Sequence, residues 1–173
     1  RPLVAHFSGN DPNVVLKAAR YIESQCDAVD LNLGCPQRIA HSGHFGSYLL
    51  GPEDRSRVVS IVSTLASSLS IPVFVKIRLL DSIEDTLVLC HQLVDAGAAL
   101  IAIHARYRVN LVGRKGPGAR TGAAMLDQVA SIKEDFSARG IEVPILANGN
   151  VRCWDDVTAS LRCTRADGVM SAE

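Results

Sequence analysis

Apolar and polar positions along this 173-residue chain alternate in blocks of two kinds. Short, largely apolar runs, at 3–7, 28–33, 73–79, 100–104, 143–147 and 166–170, have the length and composition of buried strands. Between them lie segments with helical spacing. The first opens at Asp11-Pro12, a cap residue followed by proline at the first helical position, and its Val14, Val15, Ala18, Ala19 and Ile22 form one apolar face towards Gln25. A second follows Gly51-Pro52 through Val58, Val59, Val62 and Leu65. A third starts at Ser82, whose spacing to Asp85 fits a capping box, and stops at Gly97; others cover 123–138 and 154–162.

Strands separated by helices, apolar on both faces, predict a parallel sheet covered by helices, either an open doubly wound sheet or a (β/α)8 barrel. Five strands end in polar groups: His6 before Ser-Gly-Asn10, Asp30-x-Asn32, Lys76-x-Arg78, His104-x-Arg106 and Asn148-Gly149-Asn150. Polar groups at the ends of several strands favour the TIM barrel, because barrel sites collect there, whereas an open sheet concentrates its ligands at one switch point. Six strands are visible, so the chain reads as one partial barrel domain over 1–173, a fragment of about six βα units.

Composition narrows the class. With 47% apolar and 21% charged residues the chain can bury a sizeable core, and its formal net charge of zero argues against a generally basic surface for nucleic acid. No run approaches the roughly 20 apolar residues of a membrane helix, and the N-terminus lacks the pattern of a signal peptide, so a cytoplasmic location is expected, with the nucleus as the other option. The five cysteines, at 26, 35, 90, 153 and 163, form no metal-ligand spacing, so no metal site is expected.

Each chemical group has a plain alternative. Strand alternation places Asp30 with Asn32, Lys76 with Arg78, and His104 with Arg106 on common faces. A single such pair would suggest an internal salt bridge; several at the same ends favour a ligand site, since charge turned inward needs a partner. Cys35 sits between Gly34 and Pro36, a corner that ends the strand and leaves its thiol at the tip, which favours a proton-donor role over a structural cysteine. Cys26, Cys90, Cys153 and Cys163 read as small buried hydrophobes, and Trp154 as a packing residue beside a helix start. Asn148-Gly149-Asn150 could cradle phosphate or ribityl hydroxyls, although Asn-Gly is also an ordinary turn. Arg106, Arg108, Arg114, Lys115 and Arg120, with no acidic residue among them, read as a basic active-site loop suited to a polyanion.

With these residues in place, the chain resembles the tRNA-dihydrouridine synthases. The segments that carry the resemblance are Asp30-Leu-Asn-Leu-Gly-Cys-Pro-Gln37, Gly43-His-Phe-Gly46, Lys76-Ile-Arg78, Ile103-His-Ala-Arg106, Lys115-Gly-Pro117, Ala147-Asn-Gly-Asn150 and Gly168-Val-Met-Ser-Ala-Glu173. Those around Cys35, Gly43 and Met170 look most like the eukaryotic branch acting on D-loop positions 16 and 17. The resemblance implies FMN as cofactor, NADPH or NADH as reductant, tRNA as partner, and reduction of the uridine C5=C6 bond. It implies that Cys35 protonates C5, that Lys76, His104, Asn148, Gly149, Asn150 and His6 lie at the flavin, and that Asn32 and Arg106 position the base or cofactor. It also implies that the N-terminal flavin-binding strand, the last barrel segment and a C-terminal helical domain lie outside this chain, which alone is expected to bind FMN poorly.

Three departures imply weakened contacts: His6 where the family usually has glutamine, His41 and Ser42 where basic residues are common, and Ala105 within His104-Ala105-Arg106. Two other readings compete. One is a different FMN barrel, such as a dihydroorotate dehydrogenase; the other is a catalytically silent tRNA-binding relative.

Overall fold

A computed structural model describes residues 2–108 and 122–171. Six strands, β1 (Val4–Phe7), β2 (Ala28–Leu33), β3 (Val73–Leu79), β4 (Leu100–Tyr107), β5 (Ile145–Asn148) and β6 (Gly168–Met170), form one sheet in sequence order. Every neighbouring pair is parallel. The order never reverses, which is the winding of a barrel and not of a doubly wound sheet. The helices are α1 (Pro12–Ile22), the short α2 (Arg38–Ser42), α3 (Arg55–Ser68), α4 (Ile83–Asp95), α5 (Leu126–Ala138) and α6 (Trp154–Thr164). Packing runs from α1 to α3, then to α4, α5 and α6. The fold is the expected TIM-barrel fragment. No helix among the described residues is long and apolar enough to cross a membrane.

Local chemistry explains the helix starts. Asp11 Oδ1 accepts from the backbone N–H groups of Asn13 and Val14, both at 2.9 Å, and Ser82 Oγ accepts from Asp85 N–H at 3.0 Å. At α6 the Asp156 carboxylate accepts from the N–H groups of Arg152 and Cys153. The last helix ends at Arg165 in the left-handed conformation, φ 53°.

Strand alternation separates two chemistries. One face of the sheet presents Leu31, Leu33, Val75, Ile77, Ile101, Ile103 and Ile145 to the helices, where they join Ile61 and Leu65 of α3, Leu89 and Leu93 of α4, and Val129, Ile132 and Phe136 of α5, all buried. The other face carries His6, Asp30, Asn32, Lys76, Arg78, His104 and Asn148. The strong core on the helix side is what permits so much charge on the inner side.

Several sequence expectations need correction. Trp154 is 78% exposed and packs no core, because as the first residue of α6 it points off the helix into solvent. Cys153 and Cys163 are exposed and Cys26 is half-buried, leaving Cys90 as the buried hydrophobe of that group. Cys90 has its thiol pushed up to about 12, first by burial and then by Asp135. The strand end at β4 extends to Tyr107, beyond the expected 104, and α5 begins at Leu126, later than the expected 123.

Phe136 is fully buried among these core residues. Phe136→Ala in the full-length protein is expected to cost about 3–5 kcal/mol, as large-to-small core replacements do. Urea unfolding measures this, and a loss below about 1 kcal/mol would show that α5 is not part of the cooperative core.

Candidate functional site

The predicted polar residues do meet at the C-terminal ends of the strands. Backbone register places His6 beside Asp30, Asn32 beside Lys76, Arg78 beside His104, and His104 beside Asn148. A depression of about 430 Å³ lies elsewhere, lined by Asn13, Leu16, Lys17, Arg20 and Tyr21 of α1 alone. It shares no residue with the strand ends and brings no catalytic groups together.

Cys35 occupies a corner fixed from every side. Asn32 Oδ1 accepts from the N–H groups of Gly34 (3.0 Å) and Cys35 (3.2 Å), and Asn32 Nδ2 donates to Ser8 Oγ. The carbonyl of Gly34 accepts from Arg78 Nε at 2.8 Å. That of Cys35 accepts both the N–H and the hydroxyl of buried Ser47, at 3.0 and 2.9 Å, and that of Pro36 accepts from the Tyr48 hydroxyl. Gly46 presses against the back of this corner with φ +65°; a Cβ there would lie 2.8 Å from the Cys35 carbonyl oxygen. Only glycine fits, for conformational and steric reasons together.

Electrostatics around the corner are one-sided. Arg78 is 3% exposed, bonding Gly34 and the carbonyl of Tyr107. Burial first, and then Arg78, hold the Lys76 ammonium below the usual lysine range, with Asp30 opposing. Its ammonium makes no hydrogen bond or salt bridge within the described residues. His104 is pushed down to about 3, by burial first and then by Arg78, Lys76 and Arg106. It is therefore a neutral imidazole at neutral pH. On the β1 side, Asp30 is buried; its Oδ2 lies 2.6 Å from His6 Nδ1, and its Oδ1 has no partner among the described residues.

At β5, Asn148 is buried and donates to the Met170 carbonyl at 2.8 Å, tying β5 to β6. Gly149 has φ +131° and Asn150 φ +59°, so the turn after β5 is left-handed twice over. A Cβ on Gly149 would lie 2.8 Å from Ala124 Cβ. Asn150 Oδ1 accepts from Arg106 Nη2 at 2.9 Å. Taken together, the site offers hydrogen-bond donors and positive charge beside a thiol, which suits an acceptor-rich, electron-rich ligand.

The chain matches the family model for dihydrouridine synthase over residues 1–173. It belongs to the dihydrouridine synthase family. It is 39% identical over 173 residues to the tRNA-dihydrouridine(16/17) synthase [NAD(P)(+)] of Saccharomyces cerevisiae, covering 100% of this chain and 38% of that protein. It is 30% identical over 172 residues to the human tRNA-dihydrouridine(20a/20b) synthase [NAD(P)+]-like protein, covering 99% of this chain and 50% of the relative. The chain thus spans half or less of the length of these relatives. Among solved structures, 2,3-dimethylmalate lyase superimposes with a TM-score of 0.65 at 13% identity, over 98% of this chain and 56% of that one, a likeness of fold.

Within the dihydrouridine synthase family frame, the strand ends sort into two groups. The side chains of Cys35 and Lys76 make no hydrogen bond among the described residues, whereas those of His6, Asn32, His104, Arg106, Asn148 and Asn150 are engaged with the protein itself. The basic loop divides as well. Arg106 and Arg108 are internal partners, Arg108 pairing with Asp81 at 3.1 Å, while Arg114, Lys115 and Arg120 lie outside the described residues. Sequence reading assigned no role to Ser47 or Gly46. The glycine in Gly43-His-Phe-Gly46 was the available signal, since a turn glycine beside a reactive corner marks close backbone approach.

Gly46→Ala is expected to strain the corner by about 1–3 kcal/mol, the scale of a forced left-handed residue, and to move Cys35. Urea unfolding checks the cost, and an unchanged midpoint would remove the packing argument. His104 also predicts a pH effect. Its folded pKa lies below its unfolded value of 6.5, so the unfolded chain binds the extra proton and stability rises as pH rises from about 3 to 6.5. Unfolding free energies of wild type and His104→Gln, compared at pH 5 and 7, should show the smaller pH dependence in the variant; equal slopes would contradict the neutral buried imidazole.

Proposed function

We propose that this chain is the flavin-binding barrel segment of a tRNA-dihydrouridine synthase, which reduces the C5=C6 bond of a D-loop uridine with NADPH or NADH as reductant. The observation that carries the reading is Cys35 held in its corner at the same strand ends that carry two unengaged donors, Lys76 Nζ and the outward nitrogen of His104.

The residues fit FMN. Lys76 and His104 supply donors for the acceptor atoms of the ring, and Asn148, Gly149 and Asn150 shape the turn that would receive the ribityl phosphate end. His6, anchored by Asp30, lines the β1 side. What FMN supplies when bound is a hydride for C6 of the uracil. Cys35 holds the proton at Sγ and transfers it to C5, and the thiolate left behind recovers a proton from solvent. Asn32, Ser47 and Arg78 keep that sulfur in place through the corner backbone. A base within a stacked RNA cannot reach this corner, so the uridine must be turned out of its stack to react. Greater likeness to the 16/17 relative than to the 20a/20b relative favours D-loop positions 16 and 17 as targets.

The test is dihydrouridine formation on unmodified tRNA, with FMN and NADPH, by the full-length protein. Cys35→Ala should keep bound flavin and lose about 10²–10⁴-fold in rate, the usual contribution of a general acid. Undiminished activity in that variant would overturn the proton-donor role. Bound flavin without product would point to another flavin reductase, and absence of both to a silent tRNA-binding relative.

A further inference from the structure

Arg106 stands where strand alternation alone would turn it towards the ligand with His104. It stays on that face, since Ala105 before it joins the helix-side core, but its guanidinium is taken up by the protein. The register of β4 against β3 slips at this point, so that Arg78 faces His104 but Leu79 faces Tyr107. The Arg106 guanidinium donates through Nε to the Gly122 carbonyl (2.7 Å), through Nη1 to His104 Nε2 (2.7 Å) and through Nη2 to Asn150 Oδ1 (2.9 Å).

The contact with His104 decides a tautomer. Guanidinium has only donors and keeps its proton at any ordinary pH, so the ring nitrogen facing it must be unprotonated. A neutral imidazole then carries its hydrogen on Nδ1. The ring orientation agrees: Cδ2, the carbon next to Nε2, lies 3.8 Å from where a Cβ on Gly149 would stand, so the Nε2 edge faces the β5 turn and the Nδ1 edge faces away from it. Among the described residues Nδ1 has no hydrogen-bond partner, and the side chain is only half-buried.

We infer that Arg106 is a positioning residue: it fixes His104 as the Nδ1–H tautomer, so that the imidazole presents a neutral hydrogen-bond donor to an acceptor atom of the strand-end ligand. The inference deepens the proposed function by giving His104 a definite chemical role there. A donor in this state prefers a carbonyl oxygen or unprotonated ring nitrogen and holds no spare proton for the substrate, which leaves the proton to Cys35. The charged groups facing the ring are Lys76 and Arg78 of β3 and Arg106 of β4 itself, with neutral Asn148 opposite on β5, and all the charges are cationic. They reinforce the neutral form.

The experiment is long-range proton–nitrogen NMR of the full-length protein with ¹⁵N-labelled histidine, followed over about pH 5 to 8, where an ordinary histidine titrates. Loss of one signal set in His104→Gln identifies the residue. The expected wild-type result is a protonated Nδ1, an unprotonated Nε2 and no titration across the range. Arg106→Met should give a tautomer mixture or a pKa raised by about one unit or more, and Arg106→Lys, which can still donate to Nε2, should restore the wild-type tautomer in part. Wild-type His104 protonated on Nε2, or titrating within the range, would overturn the inference, as would an unchanged spectrum in Arg106→Met. If that variant fails to fold, the wild-type spectrum still decides the tautomer, and Asn150→Ala, which removes one anchor of Arg106, replaces it. Neither flavin nor tRNA is needed, so a failed synthase assay and a failed tautomer are separate results.

Discussion

Everything at the strand ends depends on one buried cation. Arg78 is almost wholly removed from water, and a charge so placed is tolerated only when its donors are met. Its Nε meets the carbonyl of Gly34 and its Nη1 that of Tyr107, so the same group that needs partners also fastens the Cys35 corner to the end of β4. Its charge is then felt across the inner face. It is a cause of the lowered basicity of both Lys76 and His104.

From this follows a division of labour. The thiol corner is rigid because its backbone is bonded through Asn32, Arg78, Ser47 and Tyr48, and close packing of Gly46 leaves it no retreat. The donors that remain, on Lys76 and His104, are the ones a ligand can use. Asp30 is the counterweight on this face, one oxygen against His6 and the other without a partner among the described residues. On the proposed reading, positive charge concentrated on β3 and β4 favours the flavin in its electron-rich, reduced form, while the proton comes from a separate and better-ordered group.

Much of this was legible in the sequence. Six blocks of strand and helix spacing, with polar residues ending successive strands, led to the barrel winding, and the Asp-x-Asn, Lys-x-Arg and His-x-Arg spacings led to a common face. Spacing gives a side chain its face but not its partner, so the bonds of Arg78 to Gly34 and Tyr107 and of Arg106 to Gly122, His104 and Asn150 could not be read from it. A register slip in β4 leaves no mark in composition. Trp154, Cys153 and Cys163 failed for a related reason: apolar character at a helix end says nothing about which way the residue points. The short turns at 46–54 were missed because glycine, proline and buried polar residues there form no periodic pattern.

The central claim is that this cationic strand-end face is built for an electron-rich ligand beside Cys35. Its most direct test is the two-electron midpoint potential of FMN bound to the full-length protein, compared with free FMN and with FMN in a Lys76→Met variant. A bound potential above that of free flavin, falling when Lys76 loses its charge, is the predicted result. A bound potential equal to or below that of free FMN, or one indifferent to Lys76, would contradict the account.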